Sequence, residues 1–189
     1  PAAERLKLLR ESSNPQAQFL WALMRNSFHY AAVHLGAVAN SARDVDFAMR
    51  WGFGVKQGPF ELWQQAGWKQ VAEWVRCDID AGKALSNAPL PDWVFDGPVA
   101  ANAGVHTAEG SWSAMHKKHL PLSSLPVYRR QHLRENVDGG GTADAAKAGK
   151  TLREDASMRL WTLDDEVLIA SIKTKAHAIG PGVIEGILE

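Results

Sequence analysis

The sequence predicts a mainly α-helical protein with a loop-rich middle and a small β-hairpin near its C-terminus. Apolar side chains recur at helical spacing from about residue 2 to residue 85, which is the pattern of amphipathic helices. Prolines interrupt residues 86–150 and break any long periodicity there. Two apolar runs then flank an acidic turn after Ala156, as the two strands of a hairpin do.

The first long helix should turn one apolar face toward the core. This face is predicted to carry residues at intervals of three or four: Leu20, Leu23, Met24, Ser27, Ala31, Leu35 and Val38. Such spacing places side chains on one side of a helix. His29 and His34 lie in the same helix, and we interpret both as packed or capping residues rather than acid–base catalysts, because the sequence names no carboxylate partner.

A glycine-bounded corner joins two further helices. Ser41 or Asp44 can cap the first of them, and Gly52 offers the backbone freedom that ends a helix. The second helix should begin at Pro59, because a proline in the first turn loses no useful hydrogen bond. We expect this corner to orient four aromatic residues in the core: Trp51, Phe53, Phe60 and Trp63.

The helix that follows the corner carries a second apolar face. Its members are Trp68, Val71, Ala72, Val75 and Ile79. We expect this face to pack on that of the first long helix. Four of the eight tryptophans, Trp51, Trp63, Trp68 and Trp74, are close in sequence, and we interpret them as large core anchors. The alternative is an aromatic groove for an acyl or adenine group.

The last part of the chain changes from loops to strands. Residues 86–150 should form short helices and irregular chain, because prolines recur there: Pro89, Pro91, Pro98, Pro121 and Pro126. After the short apolar run that ends at Trp161, Val167–Ile172 has the β-branched content of a buried strand. Ile179–Val183 then resembles a loop that leads into a helix.

Composition limits the classes of partner. The 21 basic and 21 acidic residues cancel, so the excess positive charge typical of nucleic-acid binding is missing and we expect no nucleic-acid partner. No apolar run approaches the ~20 residues that span a bilayer, so we expect no membrane partner. The single cysteine, Cys77, fits a reducing compartment and predicts a cytoplasmic location. Because Pro1–Glu4 lacks an initiator Met and a signal-peptide pattern, we expect the chain to be a piece of a longer protein.

Two motifs invite a ligand site but favour simpler interpretations. Gly139–Thr151 is glycine-rich and ends in a Gly-Lys-Thr sequence, yet Asp144 stands where a phosphate loop needs its first glycine, so we interpret the segment as a flexible linker. His116 and His119, with His106 upstream, have lysines beside them that oppose a divalent ion. We interpret them as a solvated surface segment and predict no metal site.

Residues 48–68, reading AMRWGFGVKQGPFELWQQAGW, resemble the C-terminal helical domain of 3-hydroxyacyl-CoA dehydrogenases. The likeness extends to segments on both sides: Ala17–Trp21, His29–Ala31, Trp74–Val75 and Leu90–Val94. It is closest to large bacterial fusion proteins of fatty-acid β-oxidation, which join a dehydrogenase to an enoyl-CoA hydratase-like domain. Val167–Ile179, reading VLIASIKTKAHAI, resembles the first strand and following loop of the crotonase fold, where the backbone after a lysine lines the coenzyme A site.

This resemblance implies three regions. Residues 1–95 would form the dehydrogenase C-terminal helical domain, a bundle like the C-terminal domain of 6-phosphogluconate dehydrogenases. Residues 96–155 would be a loop-rich connector. Residues 156–189 would be the truncated start of an enoyl-CoA hydratase (crotonase)-like domain. No G-x-G-x-x-G follows a strand, so we expect no cofactor site in this chain, and NAD would bind elsewhere in the parent enzyme.

The resemblance also names candidate substrate-binding residues. Arg25 matches the arginine of an Asn-Arg pair in the family's helical domain, while Met24 occupies the asparagine position, as in a second, degenerate helical repeat. Lys175 and Ala176 match the loop that lines coenzyme A, and His177 stands where relatives often carry asparagine. No catalytic residue is expected in this chain.

Two functions remain open. In the first, the chain is part of an NAD-dependent 3-hydroxyacyl-CoA dehydrogenase and supplies packing and positioning beside the acyl-CoA substrate, so the isolated chain should be inactive. In the second, it is a non-catalytic module for helical dimerisation or domain packing, and it forms a homodimer through the helical domain.

Overall fold

The computed structural model describes residues 1–125 and 149–188 of the 189-residue chain. The chain divides into two compact units, Pro1–Gly141 and Thr142–Glu189. The described residues are mainly helical and also form two small antiparallel sheets. The two units are described separately.

The first unit begins with five helices in succession. They are α1 (Ala2–Glu11), α2 (Pro15–Val38), α3 (Ala42–Phe53), α4 (Pro59–Gln65) and α5 (Trp68–Asp80). A 3-10 turn (Asp92–Val94) and a short helix α6 (Gly97–Ala101) follow, then strands β1 (His106–Thr107), β2 (Gly110–Ser113) and β3 (Lys118–Leu120).

The inner face of α2 contains Ala31 and Leu35 of the predicted face, with Met24 partly buried, but not its other members. Its buried residues are Trp21, Arg25, Phe28, His29, Ala31, Ala32 and Leu35. Leu23, predicted in the core, is 49% exposed, and Leu20 and Val38 are also exposed. The prediction was wrong over much of the helix because a hydrophobic pattern counts only apolar side chains. It therefore missed the polar residues Arg25 and His29, which lie on the inner face.

The corner between α3 and α4 forms, but α3 ends later than predicted. Ser41 and Asp44 cap its start, and the helix continues through Gly52 to Phe53 before Gly54 adopts a left-handed conformation with φ of 68°. Helix α4 begins at Pro59 as predicted.

Two of the four aromatic residues at the corner lie in the core and two do not. Phe60 and Trp63 are fully buried, whereas Trp51 is 69% and Phe53 77% exposed. Asp46 takes the inward position of α3. Trp51 lies five residues further along, about 140° around a helix of 3.6 residues per turn, and therefore faces away from the core.

Helix α5 packs as the sequence predicts. The first four apolar residues of its predicted face are buried: Trp68, Val71, Ala72 and Val75. The fifth, Ile79, is partly buried. Trp63 stacks on Trp68 with 4.4 Å between ring centroids, and its Nε1 donates to the Trp68 carbonyl oxygen at 3.0 Å. Trp68 Nε1 in turn donates to the Val94 carbonyl oxygen at 2.9 Å, so these two tryptophans are core anchors with satisfied N–H groups.

The middle of the chain contains a sheet that the sequence did not predict. Besides the expected short helices, β1, β2 and β3 form a three-stranded antiparallel sheet in that order. Its strands have two to four residues and include neither valine nor isoleucine, so the usual strand signal is missing.

The second unit contains the predicted hairpin and one further strand, although the second strand of the hairpin is exposed to half-buried rather than buried as predicted. Strands β5 (Met158–Thr162) and β6 (Leu168–Ile172) pair antiparallel across the acidic turn. Strand β4 (Lys150–Glu154) adds to β5, so Lys150 and Thr151, which the sequence placed in a linker, belong to a sheet. The rest of that glycine-rich segment, up to residue 148, lies outside the described residues.

A short helix completes the second unit. Helix α7 (Pro181–Leu188) follows the loop after β6, as the sequence predicts. Its Val183 is buried together with Met158 and Trp161 of β5. A Cβ at Gly186 would overlap the Met158 side chain, so the absence of a side chain there lets α7 approach the sheet closely.

Candidate functional site

A buried histidine–aspartate pair joins α3 to the first sheet. His106 Nε2 lies 2.7 Å from Asp46 Oδ2, and the two side chains are 1% and 0% exposed. His106 Nδ1 lies 3.0 Å from Ser111 Oγ. The prediction that His106 belongs to a solvated surface segment was wrong, because β1 and β2 carry it into the core.

Asp46 also caps a helix other than its own. Its Oδ1 accepts the Phe60 N–H at 2.9 Å and its Oδ2 accepts the Glu61 N–H at 3.1 Å. These amides belong to the first turn of α4, where the positive end of the helix dipole favours a carboxylate. A Cβ at Gly58 would overlap Asp46, so this close approach requires glycine. The pair therefore fixes α4 relative to α3.

Opposing effects act on the acids at this corner. Burial raises the pKa of Asp46, while the hydrogen bond and charge of His106 and the two α4 amides lower it, and burial prevails. Burial likewise raises the pKa of Glu61, against the Gly58 amide and Arg50. Arg50 Nη1 lies 3.2 Å from Glu61 Oε1.

The hydrogen-bonded series Asp46–His106–Ser111 has the residue types of a nucleophilic triad but cannot act as one. Ser111 Oγ accepts the Arg43 N–H at 2.9 Å and is enclosed, since Ser111 is 1% exposed. Each polar side chain of this hydrogen-bonded series has a partner, because His106 contacts Asp46 through Nε2 and Ser111 through Nδ1. The network thus holds the start of α3, the start of α4 and two strands together.

Gln64 strengthens the same junction from α4. Its Nε2 donates to the His106 carbonyl oxygen at 2.9 Å, and its Oε1 accepts the His106 N–H at 2.9 Å. A side-chain amide therefore bonds both backbone groups of one strand residue. The sequence offered little signal for this junction, because Asp46, Gln64 and His106 are far apart in the chain.

Arg25, a predicted substrate-binding candidate, lies in a second buried polar cluster. Its Nη1 is 3.1 Å from Asp78 Oδ2, and its Nη2 donates to the Lys83 carbonyl oxygen at 2.5 Å. Trp21 Nε1 donates to the same Asp78 oxygen at 2.8 Å. Arg25 therefore joins α2 to α5 and to the loop after it.

The other two candidates, Lys175 and Ala176, lie in the second unit. They belong to an exposed 3-10 turn, Lys175–His177, in which Ala176 and His177 have positive φ values of 56° and 52°. His177 Nδ1 lies 2.9 Å from the Ile172 carbonyl oxygen, and Thr174 Oγ1 donates to that of Ala178 at 2.6 Å. The turn after β6 is thus held in a conformation that non-glycine residues rarely adopt.

A surface cleft opens between α2 and the loop that follows α5. The space in it that water-sized groups can occupy is about 60 Å³. The α2 residues that line it are Asn26, His29, Tyr30, Val33 and His34, and the loop residues are Leu85, Ser86 and Ala88. His29 Nε2 donates to the Ala88 carbonyl oxygen at 2.7 Å, and Tyr30 and His34 lie with ring centroids 4.3 Å apart. His29 is thus a packed residue, as the sequence predicts.

The remaining sequence candidates occupy simpler positions. His116 and Cys77 are exposed, and burial lowers the pKa of His119, which packs edge-on against Trp112. Within residues 1–125 and 149–188, no three histidine, cysteine or acidic side chains group as metal ligands. None of the helices in these ranges has the length and apolar character to cross a membrane.

The chain is similar to one curated protein over almost its whole length. It is 25% identical over 181 residues to a probable 3-hydroxyacyl-CoA dehydrogenase of Bacillus subtilis, covering 96% of this chain and 21% of that protein. The two proteins are distantly related. The chain therefore spans about a fifth of the length of the relative it matches. No protein-family model and no solved structure match the chain.

Proposed function

We propose that this chain is part of an NAD-dependent 3-hydroxyacyl-CoA dehydrogenase of fatty-acid β-oxidation and supplies packing and positioning rather than catalytic groups. The observation that carries the proposal is the similarity to the Bacillus subtilis protein along 96% of the chain. In this proposal NAD and the reacting groups belong to other parts of a longer cytoplasmic enzyme. In the same proposal residues 1–95 correspond to the C-terminal bundle of 6-phosphogluconate dehydrogenases, residues 96–155 to a connector, and residues 156–189 to the start of a crotonase-like domain.

The polar interior supports a positioning role. The buried groups of the first unit bond one another: Asp46 with His106, and Arg25 with Asp78. Both pairs join separate helices or strands, which is how a scaffold holds a surface in a fixed geometry.

Two exposed aromatic residues are the proposed substrate-side surface of the helical unit. Trp51 and Phe53 lie at the end of α3, and Trp51 stacks on Phe47 with 4.7 Å between ring centroids. Large apolar side chains beside a rigid corner suit an acyl chain, because they bury apolar area without further ordering. The turn at Lys175–His177 is the proposed coenzyme A contact in the second unit.

Two measurements test this function. The isolated 189-residue chain should bind an acyl-CoA weakly in isothermal titration and should reduce no NAD. In the longer enzyme, Trp51→Ala should raise KM for a 3-hydroxyacyl-CoA, while Leu8→Ala, at an exposed position of α1, should leave KM unchanged. Absence of acyl-CoA binding together with unchanged kinetics of a folded Trp51→Ala enzyme would defeat the proposal.

A second candidate function is a non-catalytic module for dimerisation or domain packing. The observation that favours it is the outer face of α2, which is exposed and carries no charged side chain. The two functions are compatible, because packing surfaces often border a substrate cleft.

A further inference from the structure

An ion pair closes the base of the corner between α3 and α4. Arg50, in the last turn of α3, has its Nη1 3.2 Å from Oε1 of Glu61, in the first turn of α4. The two side chains are 12% and 9% exposed, so the pair is largely shielded from water. Solvent and salt screen a shielded pair less than a surface pair, and its attraction is therefore stronger.

Both partners of this ion pair also hold the chain that runs between them. The carbonyl oxygen of Arg50 accepts the Gly54 N–H at 3.0 Å, and Oε2 of Glu61 accepts the Gly58 N–H at 2.9 Å. The first hydrogen bond ends α3 and the second begins α4. We call the Arg50–Glu61 pair the corner clamp, because it joins the two ends of this connection.

The same arginine supports the exposed aromatic side chains of the corner. Its guanidinium carbon lies 5.6 Å from the ring centroid of Phe47, and Phe47 stacks on Trp51. Cation–π contact and ring stacking both depend on the relative position of the groups. Arg50 therefore connects the Glu61 carboxylate to the aromatic stack that includes Trp51.

A second carboxylate increases the importance of Arg50. Burial raises the pKa of Glu61, and the charge of nearby Asp46 also raises it. The Gly58 amide and the charges of Arg50 and His106 lower it. Without Arg50, the Glu61 carboxylate would lie beside a like charge in a shielded place, and opening of the corner to water would relieve the repulsion.

We propose that the corner clamp is a positioning device that holds the exposed aromatic side chains of the corner in the orientation that an acyl group contacts. Its two residues act through Trp51 and Phe53 and do not themselves touch the ligand. This inference rests on the proposed function, which supplies the acyl-CoA. A surface that is already ordered loses less conformational entropy when a ligand binds, so the clamp increases affinity from a distance.

Hydrogen exchange in the 189-residue chain tests the hold of the clamp on the corner. Arg50→Met should speed exchange of the Gly54 and Gly58 amides about fivefold, since an ion pair contributes on this order to a local opening equilibrium. Arg50→Lys keeps the charge and should lie between Arg50→Met and the wild type. The double variant Arg50→Met/Glu61→Gln contains neither charge and should exchange within about twofold of Arg50→Met, because both substitutions break the same pair.

Arg76→Met is the matched control for this exchange measurement. Arg76 also pairs with a glutamate, Glu73, and its guanidinium carbon lies 4.8 Å from the ring centroid of Phe95. This pair belongs to α5, and its arginine side chain is 52% exposed. The control should leave the Gly54 and Gly58 amides at the wild-type rate. Wild-type rates in Arg50→Met, or equal acceleration by Arg76→Met, overturn the proposal.

Isothermal titration with decanoyl-CoA tests the consequence for binding. Arg50→Met should weaken binding about fivefold, and Arg50→Lys should restore most of the loss. Arg76→Met should bind like the wild type. Equal affinities of Arg50→Met and the wild type overturn the positioning role and leave the dehydrogenase proposal standing. A wild-type chain that binds no decanoyl-CoA, while Arg50→Met still exchanges faster, defeats the proposed function and supports the hold of the clamp on the corner.

Discussion

The imidazole of His106 lies 2.7 Å from the carboxylate of Asp46, and the two residues come from a strand and a helix separated by 60 positions in the chain. Asp46 also accepts two amides from the start of α4. One carboxylate therefore connects α3, α4 and β1, and its removal should weaken the packing of all three.

We expect Asp46→Asn to lower the free energy of unfolding by about 3 kcal/mol, because it breaks a buried pair. One of the two carboxylate oxygens becomes an N–H₂ group, which then faces an N–H donor of the protein and cannot accept its hydrogen bond. Urea denaturation at neutral pH measures this change. Asp80→Asn is the control, since Asp80 is exposed near the end of α5. Equal effects of the two substitutions would contradict a special role for the pair.

Gly58→Ala should destabilise the protein by at least ~2 kcal/mol, because the new methyl group meets the Asp46 backbone and side chain and cannot be relieved by a rotamer change. Gly52→Ala provides the opposite expectation. Gly52 lies within α3 with open space around it, so alanine there should stabilise by about 0.5–1 kcal/mol. Thermal and urea unfolding of both variants check the difference in sign.

The pH dependence of stability should reveal Glu61. Burial raises the pKa of Glu61 in the folded state. The contribution of Glu61 to the free energy of unfolding is therefore fully present below its unfolded pKa and is lost as pH rises through its folded pKa. Glu61→Gln removes this titration. The free energy of unfolding of Glu61→Gln, relative to that of the wild type, should therefore increase as pH rises from about 4 through the folded-state pKa of Glu61. The lower end of this range is set by the pKa of glutamate in an unfolded chain, ~4.3. Unfolding midpoints across that range test it, and a relative loss with rising pH would show the sign to be wrong.

Arg25→Gln should reduce the free energy of unfolding by about 3 kcal/mol, because Asp78 would keep a buried charge after losing the nearer of its two arginine partners, Arg25 at 3.1 Å and Arg10 at 3.6 Å. If Arg25 also binds substrate, acyl-CoA affinity should fall by more than the loss of folded protein explains. Titration calorimetry of the folded variant, beside urea denaturation, separates the two contributions.

Lys175→Gln should leave stability unchanged, since Lys175 is exposed, but should weaken the binding of coenzyme A, whose phosphates a lysine attracts. Lys69→Gln, an exposed lysine of α5, controls for the lost charge. Equal affinities for coenzyme A in the two variants would remove the argument for the Lys175–His177 turn.

How much of this molecule the sequence reveals depends on whether its signals are local. The buried face of α5, the start of α4 at Pro59 and the pairing of β5 with β6 follow from periodicity, capping and an acidic turn within a few residues. The inner face of α2 does not, because Arg25 and His29 become suitable for the core only through Asp78 and the Ala88 carbonyl. The Asp46–His106 pair could not be predicted from the sequence for the same reason, since burial of either residue requires the other.

The capping of α4 by Asp46 has a consequence for the order in which the corner becomes structured. Helix α4 has seven residues, whereas isolated helices below roughly 12–15 residues are marginal in water. The Phe60 and Glu61 amides of its first turn have no acceptor within the protein until α3 brings Asp46 into place, and Asp46 is fully bonded only when α4 and His106 are both present. The corner should thus open and close as one cooperative unit, with the Phe60 and Glu61 amides exchanging hydrogen only when the whole junction unfolds.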